Sequence, residues 1–105
     1  MSKDDLLPPE LLKQIPALSS NEGTSMDDII IHALYYVGNF TWLVAECEAA
    51  KDNDVLFYGY VINHATRYNS EWGYFTLGQL TEIIGMQRDV HFKQCKFGAF
   101  MKRGV

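Results

Sequence analysis

Residues 28–63 hold three β-rich segments almost end to end: DIIIHALYYV (28–37), FTWLVAECEA (40–49) and VLFYGYVIN (55–63). Each is dense in Ile, Val, Tyr, Phe and Trp, the residue types that fit a pleated, half-buried surface. Only Gly38-Asn39 and Ala50-Lys51-Asp52-Asn53-Asp54 separate them. Both links have turn chemistry, and neither has the dozen or so residues that a crossover between parallel strands requires. The three segments therefore predict an antiparallel meander and argue against a parallel α/β sheet.

The flanks add helices. LLPPELLKQIP puts Pro8 and Pro9 where proline suits a first helical turn, sets Leu11, Leu12 and Ile15 on one face, and stops at Pro16. Residues 19–28, SSNEGTSMDD, have loop composition. Glu71-Trp72-Gly73-Tyr74-Phe75 reads as a turn entering a short strand, after which LGQLTEII (77–84) has a helical pattern. Thr76 and Gln79 stand at capping-box spacing ahead of it, and Gly85 fits its C-terminal stop. RDVHF (88–92) predicts a last strand, and residues 94–105 a loosely structured end that docks Phe97 and Phe100. The expected architecture is α+β: a small antiparallel sheet, a meander of four to five strands, with an N-terminal helix and a second short helix at 77–84. Residues 1–105 are expected to form one domain, with 1–5 and 94–105 as flexible ends.

Neither face of this sheet is polar by alternation. Ile29, Ile31, Ala33 and Tyr35 alternate with Ile30, His32, Leu34 and Tyr36; Leu56, Tyr58, Tyr60 and Ile62 alternate with Val55, Phe57, Gly59 and Val61. A sheet apolar on both sides is either covered on both, by helices and chain ends, or presents an aromatic surface for a partner to cover. An edge strand left open in such a sheet also allows a homodimer.

Charge is laid out unevenly. Residues 1–87 carry 12 acidic and four basic side chains, whereas residues 88–105 carry one acidic and five basic, within a net charge of −4. An acidic body with Arg88, Lys93, Lys96, Lys102 and Arg103 spread along a tail lacks the cationic face that duplex nucleic acid requires. No run approaches the roughly 20 apolar residues of a membrane span, and the acidic start MSKDDLLPPE is unlike a signal peptide. The expected address is the cytoplasm.

The residues that carry chemistry are sparse. His32, His64 and His91 form no helical i, i+4 pair and stand beside no cysteine at zinc-ligand spacing, so no metal is predicted. Cys47 and Cys95 read as small apolar residues. The glycines are isolated, so no phosphate-cradling loop is present and nucleoside triphosphate hydrolysis is not expected; no cofactor is predicted. Glu46 and Glu48 fall on one strand face, two residues apart, in the pattern of a solvated strand end; a paired carboxylate working as acid and base is the sharper alternative. At the aromatic corner, Trp72, Tyr74 and Phe75 are expected to pin the 77–84 helix against the sheet. An exposed Trp or Tyr there is instead a typical anchor in a protein interface.

Read together, LLPPELLKQIPAL, FTW, LFYGYV, EWGYFTLGQLTEI and RDVHF resemble a family of small bacterial, plasmid and phage proteins known only as a domain of unknown function. The likeness runs over residues 6–93 and is most specific at the Trp42 strand, the LFYGYV strand and the WGYF corner; the chain departs from it by a shorter link between the helix and RDVHF. The resemblance implies a single α+β domain associated with plasmids, phages and integrative elements. It brings no catalytic residues with it.

Three function classes follow. The expected one is a non-catalytic protein-binding accessory protein of a mobile element or phage, acting through its acidic body and an aromatic surface built from Trp72, Tyr74, Glu71, Tyr58, Tyr60 and Tyr36. A second is an inhibitor of a host defence nuclease, of anti-restriction or anti-CRISPR type, whose acidity imitates nucleic acid; −4 is weak for such a mimic. The third is a small hydrolase or ligand-binding domain using Glu46, Glu71 and a histidine, which requires those groups to converge in one pocket.

Overall fold

The short, turn-rich links of residues 33–63 produce the meander they predict. The computed structural model describes residues 2–66 and 69–103. In chain order its elements are α1 (Lys3–Leu6), α2 (Pro9–Gln14), β1 (Ile30–Ile31), β2 (Ala33–Val37), β3 (Phe40–Ala50), β4 (Asp54–Asn63), β5 (Glu71–Thr76), α3 (Leu77–Glu82), β6 (Gln87–Arg88), β7 (Cys95–Lys96) and α4 (Phe97–Lys102). Five strands form one antiparallel sheet in the order β5-β4-β3-β2-β6, and β1 pairs with β7 in a separate two-stranded piece. Gly38 at φ 55° turns β2 into β3; Asp52 and Asn53, also left-handed, turn β3 into β4, where Asp and Asn tolerate that conformation best. The α+β class with its N-terminal helix is as expected.

Both faces of the sheet are covered. On the first face, Ala33, Tyr35, Val44, Phe57 and Phe75 meet Leu6, Leu7 and Ile15 from the N-terminal segment and Leu77, Leu80 and Met86 from α3 and the turn after it. Tyr35 is fully buried here and its Oη donates to the Leu6 carbonyl oxygen at 2.6 Å, while burial pushes its phenol well above the usual range. On the second face, Leu43, Ala45 and Ile62 pack against Ile29 and Ile31 and against Phe97 and Phe100 of α4.

Four sequence expectations change. The first strand is not continuous: the chain breaks at His32, whose backbone N–H donates to the Val44 carbonyl, and β1 leaves the sheet to pair with β7. That break is why Ile29 and Ile31 serve the second face and Ala33 and Tyr35 the first. RDVHF is not a strand; β6 is only Gln87–Arg88, paired with Tyr36 and Tyr35, and a turn follows in which Phe92 N–H bonds to the Asp89 carbonyl. The described ends contain short helices where the sequence predicts no regular structure: α1 runs into fully buried Leu6, and α4 seats Phe97 and Phe100, whose docking is as expected. In α2 the expected apolar face is partial, since Ile15 is buried but Leu12 is exposed.

α3 begins as expected. The Thr76 side chain accepts from the Gln79 backbone N–H, and the Gln79 side chain accepts from the Thr76 N–H. It ends at Glu82, two residues early, and Gly85 at φ 88° turns the chain toward β6. Asp54 fastens the helix start to the sheet by accepting from the Val55 and Gly78 N–H groups, each at 2.8 Å. Burial pulls its carboxyl upward, but these backbone bonds, with Lys3 and Thr76, together hold it below the ordinary carboxylate value.

Candidate functional site

Strict alternation along β3 is interrupted, and the interruption builds the site. Val44 pairs with Gly59 and Glu46 with Tyr58, so Ala45 is an extra residue, a β-bulge. The bulge turns Glu46 onto the second face, whereas an unbroken strand would leave it on the same face as Val44. Position 59 has to be glycine for this to occur: a Cβ there would lie 1.8 Å from the Leu43 carbonyl oxygen. The isolated glycine inside VLFYGYVIN is thus the mark in the sequence of a close backbone approach.

Turned this way, Glu46 is 4% exposed, against the expectation of a solvated strand end. Its Oε1 accepts from the Ser19 N–H at 2.7 Å, and its Oε2 accepts from the Asn21 N–H at 3.1 Å and the Asn21 side-chain amide at 2.8 Å. The loop that supplies these donors is brought alongside β3 by Pro16 and Ala17, whose backbone takes over from β2 beside Cys47. Ser19 adopts φ 69° to reach the carboxylate. Among the described residues no Lys, Arg or His lies within ion-pair distance of Glu46, so its partners are neutral dipoles.

Three strands set the rest of the site in rows. Glu46, Tyr58 and Tyr74 are direct cross-strand neighbours on β3, β4 and β5; Leu43, Tyr60 and Trp72 form the next row. The aromatic rings run on continuously: Tyr74 to Tyr58 at 5.0 Å, Tyr58 stacked on Trp72 at 5.6 Å and 18°, and Trp72 to Phe97 at 4.8 Å. Phe97 also meets Tyr60 edge-on at 4.9 Å, so α4 closes one end of the array. At the other end Tyr74 is 66% exposed. Between the sheet and the 19–24 loop lies a cleft of about 330 Å³, with Glu46, Tyr58 and Tyr74 on its sheet side and Ser19, Asn21 and Glu22 on its loop side.

The six residues expected to form a binding surface therefore divide. Tyr58, Tyr60, Trp72 and Tyr74 come together on the second face. Trp72 is half-buried against Tyr60 and Phe97, which makes it chiefly a packing residue, and its indole N–H is buried without a partner. Tyr36, 44% exposed, shares that face but stands on β2, in a row with Thr41 and Ile62. Glu71 is opposite Val61 on the other face. Trp42 is there too, beside Val61 and partly buried against the first cluster.

Glu46 and Glu71 are thus on opposite sides of the sheet, and no histidine joins either. His64 bonds the Thr41 hydroxyl at 2.8 Å at the end of β4, and His91 lies on the turn after β6. His32 is buried enough for its imidazole to be pushed below the usual value, with Nδ1 unpartnered. Among the described residues, no group of three or more His, Cys, Asp or Glu is placed to hold a metal ion. A second cleft, of about 480 Å³, lies at the basic end of the chain between Asp89, His91, Lys93 and Arg103 over Phe92 and Phe100.

The role of Asn21 and of Phe97 in the site had only faint signals in the sequence: Asn21 belongs to a run of small polar loop residues, and Phe97 to an end that reads as loose. No helix of the described residues is long and apolar enough to cross a membrane. Comparison with family models, with curated proteins and with solved structures finds no match for the chain.

Proposed function

We propose that the chain is a non-catalytic binding protein whose partner is another protein, engaged at the β4–β5 end of the second face. One observation carries this reading: Tyr74 stands largely exposed at the end of an aromatic array that is otherwise packed, directly beside a cleft with a buried carboxylate. A large aromatic ring on rigid strands, flanked by a pocket, is the usual form of an interface anchor. β5 is moreover the outer strand of the sheet, and among the described residues its outer side makes no backbone hydrogen bond, so an extended segment of a partner has donors and acceptors to pair with. The separation of Glu46 from Glu71 and from the three histidines weighs against the hydrolase alternative. The resemblance of the sequence suggests that the setting is a mobile element or phage.

The test is capture from host lysate with the tagged chain, compared with Tyr74→Ala and with Tyr36→Ala as a control on the same face. Stoichiometric retention of one protein by the parent and by Tyr36→Ala, and its loss with Tyr74→Ala at unchanged melting temperature, is the expected result. Equal retention by Tyr74→Ala would place the interface elsewhere.

A further inference from the structure

We infer that the cleft between the 19–24 loop and the β4–β5 tyrosines is a receptor for a single organic cation, an alkylammonium or a guanidinium group. The inference deepens the protein-binding reading and rests on it for the source of the cation, though not for the cleft's chemistry.

Charge decides the class of ligand. The cleft holds two carboxylates, Glu46 at its base and Glu22 at its rim, and no basic side chain among its described lining residues. Glu46 is buried yet faces only neutral donors. A carboxylate has about four acceptor directions, of which three are used here, one on Oε1 and two on Oε2. The free direction belongs to Oε1. Glu46 is itself screened from solvent, which strengthens its attraction for a positive group that reaches it, and the two carboxylates together disfavour an anion.

Shape and aromatic chemistry narrow it further. Tyr58 and Tyr74 meet at 5.0 Å and 56°, so their rings form an angled wall rather than a flat stack. The electron-rich face of a tyrosine attracts an ammonium or guanidinium within about 6 Å of its centroid. A volume of about 330 Å³ suits a side-chain-sized group and is too small for a nucleotide together with its water. The floor is preorganised, since the bulge, Gly59 and the Ser19 backbone conformation all serve to hold Glu46 in one position.

The same chemistry is presented by a Lys or Arg side chain of a partner and by a free amine. The experiment is a titration of the ¹⁵N-labelled full chain, followed in ¹H–¹⁵N spectra, with n-butylammonium, with Nα-acetyl-arginine amide, and with a blocked pentapeptide carrying that arginine between alanines. n-Butanol and Nα-acetyl-citrulline amide serve as uncharged counterparts. Expected are saturable shifts of the Ser19 and Asn21 amides with each cation and binding at least about tenfold weaker for the neutral compounds. Tyr74→Ala should weaken binding by about fivefold. Glu46→Gln, shown to be folded by its spectrum, should abolish it, and Tyr36→Ala should bind as the parent does. Tenfold tighter binding of the peptide than of the free arginine derivative assigns the cation to a protein segment; equal binding assigns it to a small amine.

Cations that do not saturate, neutral compounds that bind equally well, or shifts unaffected by Tyr74→Ala would overturn the inference. The two readings fail separately. Saturable cation binding without a captured partner removes the protein-binding reading alone, whereas Tyr74-dependent capture without cation binding removes this one alone.

Discussion

Gly59, Glu46 and Asp54 each act through a few atoms. A methyl group at position 59 would meet the Leu43 backbone carbonyl oxygen at 1.8 Å, an atom that no rotamer change can move aside, so Gly59→Ala must displace the β3 bulge. We expect it to cost about 3 kcal/mol, the upper end for overpacking, measured by chemical unfolding. Glu46→Ala leaves the Ser19 and Asn21 N–H groups without their acceptor. Amide exchange at Ser19 and Asn21 should then accelerate by about tenfold or more, with the sheet amides little changed. Exchange as slow as in the parent would show that the loop holds itself in place.

The Asp54 carboxyl titrates below its ordinary value in the folded chain. A carboxylate lowered on folding stabilises above its unfolded value of about 3.9 and loses that contribution as pH falls through the folded value. Stability should therefore drop below about pH 4, and Asp54→Asn should flatten that part of the profile when unfolding is followed as a function of pH. A variant profile as steep as the parent's would remove Asp54 as the cause.

Among the elements, those whose signals are local were legible in the sequence. β2, β3, β4 and the capped start of α3 depend on alternation, turn residues and a capping box, all of which lie within a few residues of the element itself. What escaped was decided by distant contacts. β1 leaves the main sheet because Lys96 and Cys95, 66 and 64 residues away from Ile30 and Ile31, offer it another partner, and α4 is helical where Phe97 and Phe100 find the second face. The candidate site was half legible. Period-two reading put Tyr58 with Tyr60 and marked the WGYF corner, and the same alternation carried through β5 sets Glu71 on the face opposite Trp72 and Tyr74; it had no means of turning Glu46 away from Glu71's face or of burying it, which follows from the bulge.

Trp72 belongs to this scale as well, since it joins β5 to α4 through Phe97. Trp72→Ala should lower stability by about 3 kcal/mol, or at least about 10 °C in melting temperature, by a cavity where three elements meet. A loss below about 2 °C would contradict its packing role.

At the scale of the molecule, the sheet is apolar on both faces and covered on both, by the N-terminal segment and α3 on one side and by β1, β7 and α4 on the other. Coverage stops short at the β5 edge, where the array of rings ends in exposed Tyr74. The proposed function divides the aromatic residues in two. Trp72, Tyr60 and Phe97 hold elements together; Tyr74, with Tyr58 and Glu46 beside it, is the exposed group assigned to binding by that proposal. The acidity of the body, 12 acidic against four basic side chains in residues 1–87, favours a partner that brings positive charge to that edge.

That division is tested most directly by measuring thermal unfolding and partner capture on the same preparations of Trp72→Ala and Tyr74→Ala. Tyr74→Ala is expected to melt within about 2 °C of the parent and to retain no partner, while Trp72→Ala melts at least about 10 °C lower. A Tyr74→Ala chain that unfolds early, or one that melts normally and still retains the partner in full, would contradict it.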